Sequence, residues 1–244
     1  MRKLLIFHTN NLFDYMTVAI ITGGSKGIGF NVAKLFVSKG YDVVICSRSK
    51  SNLNKAKQQL GDSVLALSCD VSEYKQVQKL FHSTKQHFGN IDILVNSAAM
   101  ISSAMFKDVD MDEFDKVINV NFKGSLYCIK ESFKHMSRGG SIVNISSLGG
   151  LPGYEKFPGF SAYSISKYAV TGMTEIISVE AKEKQIRINA IALGAVNTDM
   201  LAKAAPGLKS KTEASDIAPI IDFLCDNDKS GHMNGATIPI NTNI

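Results

Sequence analysis

Val18-Ala19-Ile20-Ile21-Thr22 runs into Thr22-Gly23-Gly24-Ser25-Lys26-Gly27-Ile28-Gly29, and an amphipathic stretch, Gly29–Lys39, follows at once. The first run is short, apolar and rich in β-branched residues, which is the signature of a buried strand; the last has helical period. Between them, glycines permit a tight turn, and the start of the helix leaves free N–H groups and a partial positive charge pointing out of the turn. Strand, glycine turn and helix in that order make a cradle for the pyrophosphate of a dinucleotide, whereas the glycines alone would suit any strand-to-helix connection.

Working outward, further strands are expected at Asp42–Cys46, Val64–Ser68, Ile91–Asn96, Ser141–Ser146, Arg187–Ala192 and Thr237–Ile240. Helical stretches are expected at Ser51–Leu60, Ser72–Phe88, Met111–Met136, Ser161–Lys184 and Ser215–Cys225, with the apolar three-and-four spacing visible at Phe114, Val117 and Ile118. Strands alternating with helices predict an α/β protein: one Rossmann-like, doubly wound, seven-stranded parallel sheet in a single domain over residues 16–244, with ligands at the carboxyl ends of the strands. Residues 1–15 read as an N-terminal extension without chemistry of their own, too briefly apolar for a signal segment or a membrane span. The proline- and glycine-rich stretch from Gly149 to Gly159 reads as a loop, as does Lys203–Lys211.

Composition narrows the class. With 45% hydrophobic and 20% charged residues over 244 positions, the chain has the balance of a globular enzyme. Its net charge of +5 is spread along the chain without a basic stripe or interleaved aromatics, so nucleic acid is not an expected partner. Cys46, Cys69, Cys128 and Cys225 are far apart and lack CxxC pairing, which predicts buried free thiols in a reducing, cytoplasmic setting. The dispersed histidines offer no metal site.

Two clusters carry chemistry. About twenty residues after the glycine turn, where a dinucleotide fold commonly sets a carboxylate against the adenosine ribose, stands Cys46-Ser47-Arg48-Ser49. Arg48, Lys26 and Ser47 instead put positive charge and a donor where a 2′-phosphate would sit, which predicts NADP(H). Tyr163 and Lys167 are four residues apart, on one face of a helix. A free tyrosine, with a pKa of about 10, is a poor base at neutral pH, and a neighbouring ammonium is a source of the phenolate stabilisation it lacks. Just upstream, Ser141-Ile142-Val143-Asn144-Ile145-Ser146-Ser147 delivers hydroxyls to the carboxyl edge of the sheet.

The spacing of Gly23, Gly27 and Gly29 departs from GxGxxG and resembles the TGxxxGxG motif of the short-chain dehydrogenase/reductase family. The likeness extends from about Thr17 to Ile240, and includes that family's Asn-Ser-Tyr-Lys tetrad. It implies Tyr163 as general acid for carbonyl reduction and base for alcohol oxidation, and Ser147, in preference to Ser146, as holder of the substrate oxygen. By the same resemblance Lys167 binds the nicotinamide ribose and lowers the tyrosine pKa, and Asn121, with Asn119 as the alternative, supports a water leading to Lys167.

Further cofactor contacts are implied at Ser25 and Ile28 in the turn, and at Asp70 with Val71 around the adenine. Asn96 to Ala98 would line the ribose, and Gly194, Val196 and Thr198 would meet the carboxamide. From its own position, Asp70 would serve equally as a helix cap. The chain has Ser97 and Ala99 where the family favours NNAG, Leu193 where proline is usual, and no Asp-Gly-Gly ending. The expected activity is hydride transfer between NADP(H) and a small carbonyl or alcohol, free or carrier-linked, with a 3-oxoacyl thioester as the best substrate and a sugar, steroid or other carbonyl as the alternative. A homo-oligomer, dimer or tetramer, is expected, and no membrane partner. A non-catalytic NADP(H) sensor is the competing class, because fold does not guarantee activity. Lys203, Lys209 and Lys211 in the segment Met200–Thr212 read as a solvated loop, the alternative being a preference for acidic substrates.

Overall fold

The computed structural model describes residues 16–242; the expected N-terminal extension lies outside the described residues. Seven strands, β1 (Val18–Thr22), β2 (Asp42–Ser47), β3 (Val64–Ser68), β4 (Ile93–Asn96), β5 (Ser141–Ser147), β6 (Arg187–Leu193) and β7 (Thr237–Ile240), form one sheet of order β3-β2-β1-β4-β5-β6-β7. All the pairings are parallel. Every residue of β1 and β6 is buried, because a parallel sheet is covered on both faces and its strands lose the alternation of an exposed one.

The covering helices are α1 (Gly27–Ser38), α2 (Lys50–Leu60), α3 (Tyr74–Phe88), α4 (Met111–Ile118), α5 (Gly124–His135), α6 (Ser161–Ala181), α7 (Asp199–Ala204), α8 (Ala214–Cys225) and α9 (Asn227–Ser230). Two apolar layers result. Phe36 and Ile221 belong to the layer under α1 and α8, and Phe81 and Ile129 to the layer under α3 and α5. Each such side chain, fully withdrawn from water, contributes roughly 1.5–3 kcal/mol, so the sheet is a rigid base for whatever its carboxyl edge carries.

The expected strands and long helices are present, and four of the differences have a visible cause. β4 starts at Ile93, because Asp92 is spent earlier, its carboxylate accepting from the Val18 N–H at 2.9 Å. α3 starts at Tyr74, because Asp70 accepts from the Ser72 N–H and hydroxyl at 3.0 and 2.7 Å and holds a turn before the helix. The stretch Met111–Met136 is broken into α4 and α5 by a π-helical turn, Asn119–Lys123. Residues 199–204, read as the edge of a loop, form α7, whose N-terminus is capped by Thr198. Across the middle of the sheet, β1 lies between β2 and β4, so the chain reverses its winding there and opens a crevice at the strand ends.

Candidate active site

The crevice is a groove of about 1120 Å³ that runs from the ends of β2 and β3 to those of β5 and β6. At its centre Gly23 takes φ +66°, and a Cβ there would stand 2.9 Å from the backbone of Ala98. The turn and the end of β4 are therefore as close as two backbones allow. Thr22 ties them, its hydroxyl accepting from the N–H groups of Ser97 and Ala98 at 3.1 Å each. The groove floor is thus backbone and the α1 N-terminus, with room for a pyrophosphate where side chains would otherwise project.

Most of the sequence-predicted residues meet in this groove: Gly23, Ser25, Lys26, Gly27 and Ile28 from the turn, Ser47, Arg48, Asp70 and Val71 from β2 and beyond β3, Ala98 after β4, Ser147, Tyr163 and Lys167, and Gly194, Val196 and Thr198 after β6. Three do not line it. Gly29 is buried beneath the turn, against the carbonyl of Gly23. Asn96 is also buried, and its side-chain amide donates into the sheet, to Asn144 Oδ1 at 2.8 Å, rather than toward a ribose. Asn121 lies behind the site in the π turn, where its side chain exchanges hydrogen bonds with the backbone of Met100 and donates to Ser166 Oγ at 2.9 Å.

That last contact reaches α6 between the two residues expected to act. Ser166 in turn donates to the Tyr163 carbonyl at 2.6 Å, so Asn121 braces the turn that presents both Tyr163 and Lys167. Its neighbour Asn119 makes none of these bonds. The two serines at the end of β5 also separate. Ser146 is buried, and its hydroxyl is committed to the Lys167 carbonyl and to Thr171, both at 3.1 Å. Ser147 lines the groove with Tyr163; its hydroxyl accepts from the Gly149 N–H at 3.2 Å and bears on the phenol, favouring its ionised form.

Lys167 is 2% exposed, and its ammonium donates to the Ile145 carbonyl at 2.7 Å while lying 5.6 Å from the centre of the Tyr163 ring. Gly150 explains the fit of this segment, since a Cβ there would meet the Lys167 backbone at 2.6 Å. Burial brings the Lys167 pKa down to about 8. It pushes the Tyr163 phenol up, against the opposing effect of the Ser147 hydroxyl. The sequence-based expectation that Lys167 lowers the tyrosine is therefore not met: the phenol is desolvated, and the ammonium is turned to a backbone carbonyl.

Two pairs of opposite charges stand along the groove. Arg48 stands 3.9 Å from Asp70, and Lys26 3.9 Å from Asp199, all four side chains being at least partly open to solvent. The glycine cradle and these two cations fit a nicotinamide dinucleotide with its adenosine end over β2.

The family model described as short chain dehydrogenase matches residues 17–209. The chain belongs to that family. Versicolorin reductase 1 of Dothistroma septosporum is 35% identical over 196 residues, covering 77% of this chain and 72% of that protein. An uncharacterized oxidoreductase of Staphylococcus aureus (strain MRSA252) is 32% identical over 224 residues, 91% of this chain and 96% of that one. Among solved structures, levodione reductase superposes with a TM-score of 0.83 at 30% identity, over 92% of this chain and 95% of that one. The 3-ketoacyl-(acyl-carrier-protein) reductase of Brucella melitensis, complexed with NADH, gives 0.84 at 26% identity, over 92% and 96%. This short-chain dehydrogenase is thus an oxidoreductase by family, and among its described residues no helix is long and apolar enough to cross a membrane.

Sequence reasoning missed several residues of this short-chain dehydrogenase site. Ser166, the link from Asn121 to α6, sits inside the Tyr163–Lys167 spacing and carried no signal of its own. Tyr154, Phe157 and Phe160 line the groove from the loop before α6, where three aromatics among prolines and glycines were a usable signal.

Proposed function

We propose that the protein is an NADP(H)-dependent oxidoreductase that interconverts a ketone and a secondary alcohol. The observation that carries this reading is the meeting of Ser147, Tyr163 and the buried Lys167 in one groove, the ammonium 5.6 Å from the phenol ring. When bound, the nicotinamide supplies or accepts the hydride. Ser147 orients the substrate oxygen against the phenol. Tyr163 gives that oxygen its proton in reduction and takes it back in oxidation, and burial favours the protonated phenol that reduction needs. Lys167 would hold the nicotinamide ribose, and Asn121, through Ser166, fixes the helical turn that carries both.

The preference for NADP(H) rests on Arg48 and Lys26 at the adenosine end and on the absence of a carboxylate at the end of β2. The substrate is a small ketone; the names of levodione reductase and versicolorin reductase place reductases near this chain, and 3-ketoacyl-carrier-protein reductase keeps a 3-oxoacyl thioester as the second reading. Four buried free cysteines support a reducing, cytoplasmic compartment. Self-association is supported by an unpartnered apolar face on α6. Residues 16–244 act as one catalytic domain in this reading.

The test is titration with NADPH and NADH, followed by reduction of a ketone panel by wild type and Tyr163→Phe. The expected result is loss of turnover by at least about a hundredfold in the variant, with NADPH affinity kept, since the hydroxyl acts in proton transfer. Unchanged turnover would remove Tyr163 from the mechanism. Tight NADPH binding with no turnover of any ketone would favour the sensor.

A further inference from the structure

The charges lining the groove are unevenly placed and, with one exception, already engaged. At the adenosine end, Arg48 faces Asp70 and Lys26 faces Asp199. Glu213 accepts from Asn197 Nδ2 at 2.7 Å and caps α8. Lys167 is committed to the Ile145 carbonyl. The exception is Glu155, which lines the groove from the loop before α6, is exposed, and forms no hydrogen bond or ion pair among the described residues. Its neighbour Lys156 does not pair with it. That ammonium donates to the carbonyls of Leu151 and Tyr154 at 2.6 and 2.7 Å and lies 5.4 Å from the Tyr168 ring, which staples the turn carrying Glu155.

Around Glu155 the substrate half of the groove is apolar and aromatic. The loop before α6 supplies Tyr154, Phe157 and Phe160, and α7 with the turn after it supplies Met200, Leu201 and Leu208. Lys203, Lys209 and Lys211 are exposed, and none of them lines the groove. A phosphorylated carrier arm or a carboxylate-bearing ketone would meet an unpaired carboxylate here, while Lys156 does not line the groove.

Resting on the oxidoreductase reading above, we propose that this half of the groove selects a ring-borne ketone, apolar over its body and uncharged, whose distal hydroxyl donates to Glu155. The aromatic and aliphatic walls take the ring faces. Glu155 sets the charge selectivity: it accepts a hydrogen bond from a neutral donor and repels an anion. The 3-oxoacyl thioester is disfavoured on the same ground.

The test compares kcat/KM, with NADPH, for a hydroxytetralone, the matching carboxytetralone and acetoacetyl-coenzyme A. Wild type should prefer the hydroxytetralone to the carboxytetralone by about tenfold, and the preference should narrow as salt is added, as expected of an exposed charge. Glu155→Lys should shift that ratio by about tenfold toward the carboxylate, with Glu155→Gln between, and both should keep the wild-type NADPH affinity. A wild-type preference for the carboxytetralone or for acetoacetyl-coenzyme A overturns the proposal, as does a ratio that Glu155→Lys leaves unmoved. Reduction of none of the three by a protein that binds NADPH overturns the oxidoreductase reading and this one with it.

Discussion

Lys167 is the residue at which function and stability oppose each other. Its folded pKa of about 8 lies below the ordinary 10.5, so the fold disfavours its charged form. The sign follows: the penalty is full below about pH 8 and fades as pH rises toward 10.5, where the unfolded chain also loses the proton. At neutral pH the penalty is on the order of 3 kcal/mol, offset in part by about 1 kcal/mol from the bond to Ile145. Lys167→Met should therefore raise stability by about 2 kcal/mol at pH 7 in urea titration. The gain should shrink by pH 10, and the same variant should lose turnover. A destabilised Lys167→Met at neutral pH would mean that the ammonium is not penalised by its burial. The Tyr163–Lys167 spacing was legible in the sequence, but the direction of the tyrosine shift was not. Spacing on a helix says which groups are close, whereas the shift depends on what else closes over them, here the desolvation that pushes Tyr163 up.

At the scale of elements, α6 has two faces with different work. The inner one carries Ser166, Lys167, Val170 and Thr174 into the core. The outer one presents Ile165, Tyr168, Ile176 and Val179 in one stripe at helical spacing, with Ile176 67% and Val179 63% exposed. A stripe of this kind marks an interaction surface more often than it marks a solvated helix. Ile176→Glu should convert a dimer or larger assembly to monomer in sedimentation velocity while leaving the monomer folded; a wild-type monomer would remove the need for the variant. The π turn between α4 and α5 is the element that sequence periodicity could not show. One extra residue in a turn leaves the apolar pattern on either side intact, yet it rotates Asn121 toward Met100 and Ser166. α7 was missed for a related reason, since six residues beside a proline and a glycine are too few for a period to register.

The whole molecule is a rigid sheet with a ligand groove along one edge, so dinucleotide binding should act on global stability. NADPH at a hundred times its Kd adds about 2.7 kcal/mol, a rise in Tm of roughly 5–10 °C for a domain of this size. Arg48→Ala should remove most of the NADPH shift and leave the NADH shift in place; equal loss for both would place Arg48 outside the phosphate pocket. By itself the sequence determined the order of strands and helices, the glycine turn, the family and the Tyr163–Lys167 pair, because these depend on local period, turn chemistry and spacing along one element. Only the tertiary structure decided that the Ser146 hydroxyl is taken by the Lys167 carbonyl and Thr171, that Asn96 turns inward, and that Glu155 stands unpaired in a groove it shares with aromatics. Each of those depends on which groups from distant parts of the chain arrive first to satisfy a polar atom, and no local pattern records that competition.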